Sequence, residues 1–132
     1  YYEDTDHGGV VYYANYLKFM ERGRTEFLRS HDIELDQLQH EYGIMFVVTE
    51  VNIRYKGAAR FNDMLTIETL LTQASGARIA FTQRTKKTHN DTQDTLLTDA
   101  NVQLACVNHH GKPCLIPKVL LSILQQHIHK EA

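Results

Sequence analysis

Two cysteines in 132 residues are too few for a disulfide framework, so nothing in the chain calls for an oxidising compartment. Like charges never gather into a run, and the net charge is −2 with neutral histidines. That argues against nucleic acid as the main partner, because phosphate backbones select basic stripes. No apolar stretch approaches the roughly 18 residues of a membrane span, and no signal peptide is visible. No linker, low-complexity tract or internal repeat breaks the chain, which reads as a single domain over 1–132. It opens on Tyr1 rather than Met, so a short preceding piece, with any targeting segment, is expected to lie outside it. A reduced, cytoplasmic setting is the expectation.

What is present suits a packed core. Hydrophobic residues make up 42% and charged residues 23%, which are ordinary globular values and argue against disorder. From Val10 to about Ser30 the apolar spacing is helical. Tyr16, Met20, Gly23 and Phe27 fall on one stripe, and Arg22 and Glu26 stand one turn apart on the wet side. Gly23 costs about 1 kcal/mol in a helix interior relative to Ala. Its presence predicts a close approach to another element. A second short helix is expected between Asp32 and Glu41, ending near Gly43.

Beyond Gly43 the period becomes two. Val47, Val51, Ile53 and Tyr55 alternate with Val48, Glu50, Asn52 and Arg54. "MLTIETLL" (64–71) and "RIAFTQRT" (78–85) alternate likewise, with the turn signal Ser75-Gly76 between them. In "LLTDANVQLACV" (96–107), Leu96, Ala100, Val102, Leu104 and Cys106 share a face. Pro117 opens a last helix to about His127, with proline in the first turn. Strands joined in sequence by short turns predict a meandering antiparallel sheet, covered on one face by the long helix. The expected class is α+β, with a short first strand preceding that helix.

The stretch "EDTDHGGVVYYANY" (3–16) sets three acids beside a glycine pair and an aromatic-rich helix start. With its continuation "LKFMERGRTEFL", the strand region "TEVNIRYKGAARFNDMLTIET" and the later "FTQR", it resembles the 4-hydroxybenzoyl-CoA thioesterase type of hotdog-fold enzyme. Within that type it is most similar to the bacterial branch associated with the Tol-Pal envelope system. The resemblance runs over nearly the whole chain and includes Glu-x-x-Arg at Glu21 and Arg24. It implies a hotdog fold, a curved antiparallel sheet of about five strands around one long central helix. It also implies hydrolysis of an acyl-CoA thioester to free acid and CoA.

The chemistry can be argued from the residues as well. Attack on a thioester carbonyl puts negative charge on its oxygen. A helix start offers unpaired N–H groups and the positive end of the dipole. Glycines let backbone approach a ligand closely. A nearby carboxylate can serve as nucleophile or as base toward water. From the residues alone Asp6 could equally be a turn or capping acid, worth about 0.5–2 kcal/mol. The resemblance assigns catalysis to the second acid of the acid–x–acid element, which is Asp6, and the carbonyl-polarising N–H to Tyr13. Many members of the branch carry His at the position of Tyr13, so only a backbone role carries over. Gly9 and Val10 then line the substrate turn. Asp4 and Glu3 are expected to be solvated, and Glu21 to pair with Arg24 or Lys18. His7, beside Asp6, would tune it or be solvated.

Coenzyme phosphates want positive charge. Arg78, at the start of a strand after Ser75-Gly76, matches a family position near them, and Arg60, Lys56 and Arg84 are weaker candidates, each equally readable as a solvated cation. The string Cys106, His109, His110, Cys114 fits no usual zinc module; no metal and no cofactor are expected. Family members assemble as dimers and commonly tetramers with sites at the subunit interface. The expected partners are therefore acyl-CoA, further copies of the chain, and acyl carrier protein as another acyl source. Tyr12, Tyr16, Phe19 and Phe46 supply aromatic surface for an acyl pocket or for oligomer contacts. Two other functions fit the same fold: a non-catalytic scaffold binding acyl groups or acyl carrier protein, and another hotdog enzyme such as a dehydratase. The dehydratase wants a His on the central helix, which is absent.

Overall fold

The computed structural model describes residues 13–57, 64–88 and 94–129, and of residues 13–15 the backbone alone. The chain runs α1 (Tyr13–Ser30), α2 (Leu35–Tyr42), β1 (Ile44–Tyr55), β2 (Leu65–Ser75), β3 (Arg78–Lys87), β4 (Thr95–Asn108) and α3 (Lys118–Gln126). The strands form one antiparallel sheet in the order β1-β4-β3-β2. The long helix α1 packs on one face of it, over β2 and β3. This is the α+β hotdog arrangement that the resemblance implies, but only β2-β3-β4 is the expected meander: β1 pairs with β4 and not with its sequence neighbour β2. The expected short first strand lies outside the described residues.

Register shows how each strand meets the helix. Ile67, Thr69 and Leu71 of β2 pair with Thr85, Gln83 and Phe81 of β3, which pair in turn with Thr98, Ala100 and Val102 of β4. Directly opposed residues in antiparallel strands point to one side, so these rows form the floor under α1. On the opposite face Arg84 bonds Glu68 at 3.1 Å and lies 3.7 Å from Asp99, while Lys86 also reaches Glu68 at 3.1 Å. Charge outside and apolar mass inside is what period-two alternation requires.

Two bulges correct the face assignments made from alternation. Thr49 is extra in β1, because Val48 pairs with Leu104 while Glu50 pairs with Gln103. Val48, and not Val47, therefore shares the helix-side face with Val51, Ile53 and Tyr55. In β4 the register shifts between Thr85 and Lys86, which pair with Thr98 and Leu96. Leu97 occupies the extra position and is buried, in the place expected of Leu96. Strict alternation cannot register an inserted residue, since one insertion reverses every later face.

Of the predicted stripe on α1, Tyr16 and Met20 are buried at 2% and 0% exposure, while Phe27 is only partly buried against the core and its neighbour Leu28, at 4%, takes the inward place. Arg22 does not pair with Glu26 as expected. It sits 6.0 Å from the Phe19 ring centre, and Glu26 bonds Arg29 at 2.7 Å. Gly43 ends α2 in the left-handed region at φ 65°, donating its N–H to Leu38 and Gln39 carbonyls. Pro117 is the cap before α3 rather than a residue of its first turn. Leu120 and Leu124 of α3 join Leu28, Leu71, Phe81 and Ile116 in the larger core cluster. A smaller cluster of Tyr16, Met20, Leu97 and Ala100 lies under the first half of α1.

Candidate active site

The helix start is where the sequence places the chemistry. Tyr13 is the first residue of α1, so its amide belongs to the first turn, whose N–H groups have no intrahelical acceptor. The turn is seated by Tyr16, whose ring lies 5.9 Å from Tyr55 and 6.4 Å, edge-on, from Phe19. Tyr55 pairs across the sheet with Thr98, and Thr98 with Thr85. That row places the start of α1 over the Thr85–Thr98 end of the sheet. Both threonine hydroxyls are fully buried and have no hydrogen-bond partner among the described residues. Asp6, Gly9, Val10 and Arg60 lie outside the described residues.

Farther along α1 the polar contacts are explicit. The side chain of Gln83 is fully buried. Its amide nitrogen donates to the Met20 carbonyl at 2.8 Å and to Thr69 Oγ1 at 3.0 Å. Its oxygen accepts from Arg24 Nη1 at 2.9 Å. Burial lowers the proton affinity of Arg24, and the nearby Glu21 carboxylate opposes that shift. So Arg24 turns inward to Gln83, and Glu21 acts on it only through space. Beside this contact an apolar groove of about 290 Å³ runs between α1 and β1, floored by Phe46, Val48, Ile79, Phe81 and Leu104, with Glu21 and Arg24 at its edge.

The candidate cations are not together. Arg78 is exposed and opens β3, seven positions from Thr85, or about 23 Å at strand rise. In one protomer it therefore stands at the far end of the sheet from the start of α1. Arg84 is held by carboxylates on the outer face. Lys56 follows β1 and is exposed, its backbone N–H donating to Leu97 O at 2.8 Å.

The cysteines are free, with Cys106 Sγ 3.6 Å from Cys114 Sγ. Burial, and then the Cys114 hydrogen bond, pushes the Cys106 thiol up to about 12, so it is not a thiolate nucleophile at neutral pH. Among the described residues no three His, Cys, Asp or Glu side chains converge as metal ligands. His31 stacks on His127 with ring centres 3.6 Å apart. Burial first, His127 second, holds its pKa below the ordinary value, against the pull of Asp32.

Alternation alone marks Gln83 and Thr85 only as strand residues. The signal was there: in Ile79-Phe81-Gln83-Thr85 the last two are polar residues at inward positions.

Comparison with known proteins bears on this geometry. Residues 2–124 match the model of the thioesterase-like superfamily. The chain belongs to that superfamily. This thioesterase-like chain is 42% identical over 127 residues to the acyl-CoA thioester hydrolase YbgC of Escherichia coli O6:H1, covering 96% of this chain and 91% of that protein. It is 43% identical over 119 residues to the acyl-CoA thioesterase YbgC of Haemophilus influenzae, covering 89% and 84%. Among solved structures, a probable thioesterase from Bartonella henselae aligns with a TM-score of 0.77 at 37% identity, covering 89% of this chain and 93% of that one. The 1,4-dihydroxy-2-naphthoyl-CoA thioesterase of Synechocystis aligns with a TM-score of 0.84 at 21% identity, covering 98% and 93%, and shares the fold. No helix among the described residues is long and apolar enough to cross a membrane.

Proposed function

We propose that this protein hydrolyses acyl-CoA thioesters to a free carboxylic acid and CoA. The observation that carries the reading is the 42% identity, over 91% of its length, to the E. coli acyl-CoA thioester hydrolase. In the proposal the Asp6 carboxylate either attacks the thioester carbonyl or takes a proton from the water that does. Attack by the carboxylate expels CoA thiolate and leaves a mixed anhydride, which water then opens. Attack by water gives the acid directly. In both routes the carbonyl oxygen gains negative charge and is held by the N–H of Tyr13 in the first turn of α1. Gly9 and Val10 give the backbone its close approach to the substrate.

The geometry supports this division of labour. The first-turn amides of α1 stand over a packed floor, which keeps their dipoles fixed while charge develops. The groove between α1 and β1, about 290 Å³, offers room for an acyl chain extending along the helix. Arg78 serves the coenzyme phosphates in this reading. Because it stands at the other end of the sheet, it does so from a second copy of the chain. Among the described residues strand β1 is an edge strand, and its Met45, Val48, Val51 and Tyr55 are between 39% and 47% exposed. Exposed apolar surface on a strand with one open edge favours covering by another subunit, so the proposed state is a homo-oligomer, dimer or tetramer, in the cytoplasm. Acyl groups on acyl carrier protein, being thioesters too, are the second candidate substrate source.

A panel of acyl-CoAs spanning aliphatic and aromatic acyl groups, with released thiol as the readout, tests the activity. Thiol release from at least one member at a rate proportional to enzyme is expected. No release from any of them at micromolar enzyme overturns the hydrolase reading.

A further inference from the structure

The core under α1 falls into two apolar clusters, one around Tyr16 and Met20 and one around Leu28, Phe81 and Leu124. Near their junction the helix makes its closest contact with the sheet. A Cβ on Gly23 would lie 2.7 Å from Thr69 Oγ1, 3.1 Å from Gln83 Nε2 and 3.2 Å from Ile67 Cγ2. A side chain there would have to displace these side-chain atoms, the Thr69 hydroxyl first. The same point holds Gln83, whose two N–H bonds go to Met20 O and Thr69 Oγ1 and whose oxygen takes the Arg24 guanidinium. One buried amide thus ties β2, β3 and two successive turns of α1 together.

Apolar packing alone does not fix the position of a helix along its axis, because dispersion and burial are non-directional. Hydrogen bonds are directional and fail within tenths of an ångström and tens of degrees. An axial slip by a single residue, about 1.5 Å, would break both contacts of Gln83 with α1. Met20 lies seven residues after Tyr13, about 10 Å along a rigid helix. Wherever Gln83 holds Met20, it holds the first-turn amides too.

We propose that Gln83 is the positioning residue of this enzyme. Through Met20 O and Arg24 it fixes the axial position of α1, and with it the placement of the Tyr13 N–H against the thioester carbonyl. The proposal rests on the hydrolase reading for its catalytic consequence and on geometry alone for its structural one. A misplacement of 1 Å in a reacting site costs about 10²-fold in rate, so loosening the helix is felt in turnover before it is felt in substrate binding.

The test compares wild type, Gln83→Met and Gln83→Glu. Methionine keeps the volume and removes all three bonds. Glutamate keeps the bond from Arg24 and loses the donor to Met20 O. Two readouts are taken: kcat and KM for the acyl-CoA with the fastest wild-type turnover, and amide hydrogen exchange of residues 17–24, the first intrahelically bonded amides of α1. For Gln83→Met, kcat falls at least tenfold, KM stays within threefold, and the amides of residues 17–24 exchange at least tenfold faster while central β4 amides are unchanged. Gln83→Glu falls between. If Gln83→Met does not fold, Thr69→Val, which removes one bond to the amide, gives the same pattern at smaller amplitude. A folded variant with unchanged exchange over residues 17–24 overturns the proposal, as does one whose kcat is within twofold of wild type. The exchange arm needs no substrate. Failure of the hydrolase reading, seen as absence of wild-type turnover, is thereby distinguished from failure of the positioning role.

Discussion

Thr85 and Thr98 face each other across β3 and β4, fully buried and without hydrogen-bond partners among the described residues. A buried hydroxyl with no partner forfeits its water bonds, at about 1–3 kcal/mol. Valine has the same shape and no hydroxyl. Thr85→Val is therefore expected to raise stability by about 1 kcal/mol, or some 3 °C in Tm for a domain of this size. Thermal unfolding by circular dichroism measures it, and a Tm lowered by several degrees would show that the hydroxyl is bonded after all. Gln83 stands three ångströms or less from each of three partners, and it illustrates the opposite case. Every polar atom there is used, so removing the side chain orphans the groups it served. At this scale the sequence was half legible. Gly23 announced a close approach, and the structure puts Thr69, Ile67 and Gln83 against it. Which polar atoms would meet there could not be read, because that depends on register between strands distant in sequence.

The ends of two helices meet at the stacked rings of His31, just after α1, and His127, the cap after α3. Phe27 packs edge-on against His31, 4.8 Å between ring centres, and Asp32 is the carboxylate that acts on it. The folded-state pKa of His31 is depressed, by burial before all else and then by His127. The folded state therefore binds its proton less readily than the unfolded chain. The stability contribution is complete above the unfolded value near 6.5 and is lost as pH falls through it toward the lower folded value. Tm is accordingly expected to drop between pH 7.5 and pH 5, and the drop to shrink in His31→Gln. An equal slope in wild type and variant would assign the pH dependence elsewhere. Elements themselves were well announced by periodicity: from α1 onward the order of helices and strands and the stop at Gly43 agree with the structure. The faces of β1 and β4 were partly misassigned, because the extra residues at Thr49 and Leu97 reverse parity without leaving a mark in composition.

For the whole molecule, the division between fold and chemistry is one of distance. The sheet and α1 form a rigid frame that brings the helix start to one end and Arg78 to the other. In the proposed reading a ligand touching both lies across two copies of the chain, an arrangement that the family resemblance implies. The fold was legible because each helix and strand repeats its signal over many residues. The proposed site is a handful of residues around one helix end, and its chemistry is read from the motif at 3–16 and from the family resemblance. The central claim is that Asp6 and the first-turn amides of α1 act on one thioester carbonyl. The most direct measurement is kcat of Asp6→Asn against wild type, on an acyl-CoA that wild type hydrolyses, with released thiol as the signal. The side chain keeps its size and loses its charge, so the fold and KM are expected to hold. Loss of a nucleophile or general base should lower kcat by about 10²-fold or more. A variant that releases thiol within threefold of the wild-type rate would contradict the account.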